Sequence, residues 1–167
     1  MNTLDVVRDT FRRILCAPLY TGMLIALVIH AMWGKEMKIQ NGVLITTLKE
    51  DSWPMRTWYK QWGGTCFGYG IMLAPNQVPE TLIHEFVHTE QKEANTLFGL
   101  FTGLIFSITV GLMGAGALSL IPFLSFWILS AYFIYWAGSL IALLRGTKAY
   151  RDNHLEKAAR GIAGQKV

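Results

Sequence analysis

The stretch LFGLFTGLIFSITVGLMGAGALSLIPFLSFWILSAYFIYWAGSLIALL, residues 97–144, contains no charged residue. One helix crossing a bilayer needs about 20 predominantly apolar residues, and this run is long enough for two. Two spans joined by a turn from Gly114-Ala115-Gly116 to Pro122 are therefore predicted. Working outward, only 16% of the chain is charged and 52% is hydrophobic. Soluble domains carry about 25% charged residues, so much of this surface faces something other than water.

A further apolar run covers residues 14–33, broken only by Pro18, Thr21, Gly22 and His30. It is long for a signal peptide, and Trp33-Gly34-Lys35 is not a small-residue cleavage site. A retained span is expected, with Pro18 near its start where a helix tolerates proline. Residues 1–13 alternate Val6, Val7 and Phe11 with Asp5, Arg8, Asp9, Arg12 and Arg13, the pattern of a short amphipathic helix lying at a membrane.

The expected fold class is a mainly α membrane protein with a small β element and three transmembrane helices, forming a single membrane-embedded domain over the 167 residues. The predicted order is an amphipathic helix at 1–13, a first span at 14–33 and a β/loop region at 35–75. A helix at 78–113 includes the second span, a third span covers 121–144, and a tail helix covers 147–166. In the β/loop region, Met37 to Thr46 reads as a hairpin about the Asn41-Gly42 turn. Gly63 to Leu73 reads as a glycine-rich turn entering a strand. Trp53, Trp58, Tyr59 and Trp62 resemble an aromatic belt, and His30 an interfacial residue.

The net charge of +4 comes from dispersed basic residues beside apolar spans. Such residues sit at lipid headgroups, so the bilayer is the expected partner and nucleic acid is not. Three Lys and Arg precede the first span and twelve follow it, which points to a cytoplasmic face for the segments at 35–96 and 145–167. Arg12-Arg13 beside the first span argues the other way. Cys16 and Cys66 have no disulfide-framework or metal-cluster spacing.

Pro79 and Glu80 suit the first turn of a helix. No breaker follows before Gly99, so this helix continues into the second span. It carries His84-Glu85-Phe86-Val87-His88, an HExxH pattern. Residues four apart stack one turn above each other on a helix, so both imidazoles can share one Zn²⁺. Glu85 then stands beside the metal as general base. A third ligand is required. Glu90 and Glu93 are rotated off the shared face, and Gln91 and Ala94 stand where a metzincin has Gly and His. The candidates left are Asp152, His154 and Glu156 in the tail. Two spans separate the motif from the tail, so both emerge on the same side and the tail can reach the motif.

The chain from Thr81 to Gln91, followed far downstream by Asn153-His154-Leu155-Glu156-Lys157-Ala158-Ala159, resembles a zinc metallopeptidase of the gluzincin type. The hydrophobic hairpin between motif and tail is similar to the membrane gluzincins of the CAAX-prenyl-protease and HtpX kind. The Gly-Gly-Thr-x-x-Gly run and Gln91 resemble small HExxHxxQ predicted peptidases. The resemblance covers residues 63–96 and 147–160. It implies that His84, His88 and Glu156 bind one Zn²⁺ and that Glu85 is the base. Asp152, His154 and Gln91 are then groups that hold a ligand in place or alternative ligands. Arg160 departs from the Asp of many relatives, and no oxyanion donor is marked by motif; Tyr150, His154 and Tyr69 are available.

The expected activity is metal-assisted hydrolysis of a peptide or protein substrate at the membrane surface. The strand at Tyr69, Gly70 and Ile71 could hold an extended peptide by edge pairing. The competing expectation is a non-enzymatic anchor, holin-like or partner-binding membrane protein with a coincidental or degenerate HExxH. A histidine-rich membrane oxygenase would need about twice the four histidines present.

Overall fold

The computed structural model describes residues 3–57, 59 and 62–165. The chain is mostly helical with a small mixed sheet. In order, it forms α1 (Thr3–Leu15), α2 (Tyr20–Trp33), β1 (Gly34–Gln40), β2 (Val43–Leu48) and a single turn α3 (Trp53–Arg56). Then follow β3 (Gly64–Cys66), β4 (Gly70–Leu73), α4 (Pro79–Leu112), α5 (Leu120–Leu144) and α6 (His154–Ile162). Trp58 of the expected aromatic belt and Lys166 of the expected tail helix lie outside the described residues.

Two compact units are present. One comprises Met1–Pro18 and Lys92–Ala137; the other comprises Leu19–Gln91 and Gly138–Val167. α4 and α5 each contribute to both.

In the first unit, the lower part of α4 and most of α5 form the predicted hairpin. Gly114 and Gly116 take positive φ, 86° and 55°, in the connection, which suits glycine. Pro122 falls in the first turn of α5, where its missing N–H removes no helical bond. α4 and α5 are long and apolar enough to cross a membrane; a third crossing exists only if the bent pair formed by α1 and the segment Ala17–Trp33 counts as one. Phe101, Ile105, Leu129, Phe133 and Trp136 stand exposed on the two long helices.

A signal absent from the sequence expectations holds the hairpin together. Gly99 and Gly103, four apart on α4, have no room for a Cβ, which would meet Ser130 and the Phe126 carbonyl, or the Phe123 carbonyl. Small residues at this spacing let two helix backbones approach closely. α1 joins the same unit: Arg12 pairs with buried Glu93 at 3.3 Å, and Trp127 Nε1 donates to the Leu15 carbonyl at 2.7 Å.

The second unit is built on the sheet, in the order β1-β2-β4-β3. β1 and β2 are antiparallel and close through Asn41 and Gly42, with φ of 51° and 72°, the double left-handed turn that Asn-Gly favours. β2 and β4 are parallel, and β3 and β4 antiparallel. β4 is therefore flanked on both sides and wholly buried, and its partners occupy its edges. The expected substrate edge at Tyr69, Gly70 and Ile71 is corrected on this ground. Tyr69 is a core residue whose N–H donates to Leu19 and whose carbonyl accepts from Leu44. The edge strand on that side is β3.

α2 lies on this sheet. Gly22 meets the Phe67 carbonyl and Gly70 meets the Gly22 carbonyl, so neither position has space for a side chain. His30 bonds Thr46 at 2.9 Å from the same helix. One face of the first apolar run, at Leu19, Gly22 and Ala26, is thus buried, while Leu24, Ile25, Leu27, Val28 and Met32 are exposed. Tyr59, expected in the aromatic belt, is instead buried with Leu48, Met72 and Ala74, while Trp53 and Trp62 are about half exposed. The tail helix is shorter than the predicted 147–166. Gly146 turns the chain at φ 71°, and Asn153 caps α6 by accepting from the Leu155 N–H at 3.0 Å.

Candidate metal centre

α4 presents His84 and His88 one turn apart, and α6 brings Glu156 against them. His84 Nε2 and His88 Nε2 are 3.0 Å apart. Glu156 lies 3.3 Å from the first through Oε2 and 3.2 Å from the second through Oε1. All three side chains are buried, and together they could hold a metal ion.

The hydrogen bonds around His88 favour a lone pair on its Nε2, facing the centre of the group. Gln91 Nε2 donates to the Leu155 carbonyl at 3.0 Å, which turns Gln91 Oε1 towards His88 Nδ1 at 2.8 Å. An amide oxygen accepts only, so Nδ1 carries the proton and Nε2 of neutral His88 is a bare acceptor. Gln91 thereby orients a ligand and ties α4 to the start of α6. His84 Nδ1 is buried without a hydrogen-bond partner among the described residues.

Two tail alternatives stand elsewhere. Asp152 is occupied by Lys157 at 3.1 Å and by the Lys148 N–H at 3.0 Å, and these contacts hold its carboxyl below the usual carboxylate range. His154 is exposed at the start of α6. Glu90 is exposed and Glu93 belongs to the Arg12 pair.

Glu85 is buried beside the cluster. Its carboxylate lies against β3: a Cβ built on Gly64 would stand 2.7 Å from Glu85 Oε1 and 2.8 Å from its Cγ. Gly64 is thus a glycine because of close approach. The edge at this point is braced, since Tyr59 donates to Thr65 Oγ1 at 2.6 Å and Thr65 donates to the Gly64 carbonyl at 2.8 Å. Thr89 further secures α4 by donating to the Gly68 carbonyl at 3.1 Å.

Tyr150 is a hydroxyl donor that interacts with both acids, Glu156 and Glu85. The side chain is about half exposed; desolvation of its covered part pushes the phenol up to about 12, and the negative charges of Glu156 and Glu85 push the same way. It therefore stays protonated across the physiological range. One face of its ring stacks on Trp62, with centroids 6.0 Å apart and planes within 6°, and the Arg160 guanidinium lies 5.5 Å from the ring centre. Arg160 also approaches Glu156 Oε2 at 4.0 Å, so the position that departs from the gluzincin pattern is occupied by a cation beside the third candidate ligand. Of the three donors left open by the sequence, Tyr69 is in the sheet core and Tyr150 and His154 are both exposed; the charges of Glu156 and Glu85 act on Tyr150. Nothing local in the sequence marks the Trp62–Tyr150–Arg160 stack, because its members are 88 and 10 residues apart.

No known protein family, no curated protein and no solved structure matches this chain.

Proposed function

We propose that the protein is a membrane-embedded zinc-dependent hydrolase, a peptidase of gluzincin type, acting at the bilayer surface. One observation carries this reading: two imidazole nitrogens and a carboxylate converge, buried, with an acid–base glutamate beside them. Tetrahedral Zn²⁺ with bonds of about 2.0–2.1 Å separates its ligand atoms by about 3.3 Å. The contacts of 3.0, 3.2 and 3.3 Å among His84, His88 and Glu156 suit that spacing. Three nitrogen and oxygen donors with one open position are the ligand set of catalytic zinc.

Zinc bound there would acidify water and polarise a carbonyl. Glu85 would accept the water proton and pass it to the leaving amine. Tyr150, protonated, would donate to the carbonyl oxygen as it gains charge. An extended peptide would pair with β3. In an antiparallel ladder whose bonded pairs include Gly63 with Ala74 and Phe67 with Gly70, the peptide groups of Gly64 and Cys66 face away from β4. This places backbone contacts beside Glu85.

The helix that bears the motif is one of the two that are long and apolar enough to cross a membrane, and the uncharged run begins about 14 Å along it from His88. We place the site on the cytoplasmic side, a reading supported by the twelve Lys and Arg that follow the first span against the three before it.

Zinc analysis and a quenched-peptide assay on protein in neutral detergent test the proposal. Wild type should hold one equivalent of zinc and cleave. Glu85→Gln should keep zinc and lose turnover by at least about a hundredfold, the scale of general-base catalysis. Zinc below half an equivalent, unchanged in His84→Ala, would return the protein to the class of membrane anchors.

A further inference from the structure

Beyond the candidate metal centre, the loop after α5 and Lys157 of α6 line an open depression of about 560 Å³, bordered by Gly146, Thr147, Lys148, Arg151, Asp152 and Lys157. Three of these six are cations and one is an acid. The acid is engaged by Lys157 and the Lys148 N–H. Among the described residues, no carboxylate stands within ion-pair distance of Lys148 or Arg151, although the charge of Arg151 acts on Asp152. Gly146 leaves the mouth open, since nothing lies within 4 Å of where its Cβ would be.

Position along the chain supplies the second observation. α5 is 25 residues without a charge and ends at Leu144, two residues before the cavity begins. A helix of this kind ends in the headgroup layer, where phosphate anions are the most concentrated ligand. Arginine offers a planar fork to two phosphate oxygens, and lysine a movable point charge, so the pair suits one phosphate. The volume falls within the range of small-molecule sites and exceeds what a phosphate alone would fill.

We propose that the loop cavity from Gly146 to Lys157 binds a phosphodiester anion, the headgroup of an anionic phospholipid, through Lys148 and Arg151. Lys157, held by Asp152, closes one wall of the cavity and adds to its positive field. The shared chemistry is a phosphate anion, and the headgroup is favoured over free phosphate because α5 delivers the cavity to the bilayer surface.

Native mass spectrometry of the full chain released from neutral detergent can count bound lipids. Dioctanoyl phosphatidylglycerol should bind at one equivalent above dioctanoyl phosphatidylcholine. Lys148→Gln with Arg151→Gln should weaken it by about thirtyfold, the loss for two cation–headgroup contacts. Lys35→Gln with Lys38→Gln, the same charge removed from β1, should leave it unchanged. The charge-conserving pair Lys148→Arg with Arg151→Lys should retain binding within a few fold. Equal binding of the two lipids, equal loss in both neutralised variants, or loss in the charge-conserving pair would each overturn the site. Displacement of the glycerol lipid by an equal concentration of inorganic phosphate would overturn the lipid assignment and make free phosphate the ligand.

Discussion

Gln91 shows how much a residue outside the ligand set can control. Its amide oxygen faces His88 Nδ1 and its amide nitrogen holds the Leu155 carbonyl, so one side chain sets both a tautomer and the seat of α6. Gln91→Leu removes the acceptor at nearly constant volume. Outer-shell losses of this sort cost about 10–100-fold in metal affinity, and zinc titration against a competing chelator should find a drop in that range. An unchanged affinity would mean that His88 is oriented by packing alone. Asp152 answers to pH. The Lys157 hydrogen bond, and then the Lys148 N–H, hold its carboxyl below the ordinary value near 3.9. A depressed carboxyl stabilises the loop above that ordinary value, and the contribution is lost as pH falls through the folded-state value. Exchange of the Lys148 amide, corrected for its intrinsic rate, should therefore speed up as pH drops from about 5 to about 3. In Asp152→Asn that pH dependence should vanish. The histidines and Glu85 were readable in the sequence because a helix converts a spacing of four into a shared face. Tyr150 was legible only as one of three unranked donors, since its place depends on Trp62 and Arg160 meeting it from two other segments.

At the scale of elements, glycines mark where backbones touch. Gly99 and Gly111 sit on the same helix, yet only the first is pressed against α5. A Cβ at Gly99 would collide with Ser130 and the Phe126 carbonyl, whereas one at Gly111 would find its nearest neighbour, Ser119, at 3.6 Å. Gly99→Ala should thus destabilise by about 1–3 kcal/mol, the scale of overpacking, as measured by unfolding in detergent. Gly111→Ala should be neutral or stabilising, because alanine favours the helix by about 1 kcal/mol over glycine. Equal effects at the two positions would contradict the close approach of α4 and α5. The β1–β2 hairpin was legible because Asn41-Gly42 is a local signal. The place of β4 was not: its parallel pairing with β2 joins residues 26 apart, and no local pattern tells an interior strand from an edge. That is why the edge next to Glu85 proved to be β3, three residues long and carrying only the close-approach glycine as its mark. The two long helices were visible through their lack of charge, but the small-residue spacing that joins them was hidden inside the same apolar run.

For the molecule as a whole, the candidate metal centre joins segments that the chain keeps about seventy residues apart, and the uncharged run 97–144 between them carries no Asp, Glu, His, Lys or Arg. α6 has nine residues, too few for a stable helix in water. It keeps its place through Asn153, whose amide donates to Ser139 Oγ at 3.0 Å, through the Gln91 bond to Leu155, and through Glu156 at the cluster. If Glu156 is a zinc ligand, binding of the ion stabilises only the state in which α6 is docked. Chelation then leaves a buried carboxylate against two imidazoles, and the weakest element opens first. Hydrogen exchange on the full chain in detergent should find the amides of residues 155–163 exchanging at least about tenfold faster with chelator than with zinc, a factor that corresponds to about 1.4 kcal/mol of local stability. Residues 84–91 should follow more weakly, because α4 retains its contacts with β3 and the Gly68 carbonyl. Residues 97–112 and 120–144, uncharged and remote in sequence from the ligands, should exchange alike in both conditions. The same comparison in Glu156→Gln should find no zinc effect on α6. Protection of α6 that ignores zinc in the wild type would remove Glu156 from the ligand set and leave two histidines, too few for a catalytic zinc site.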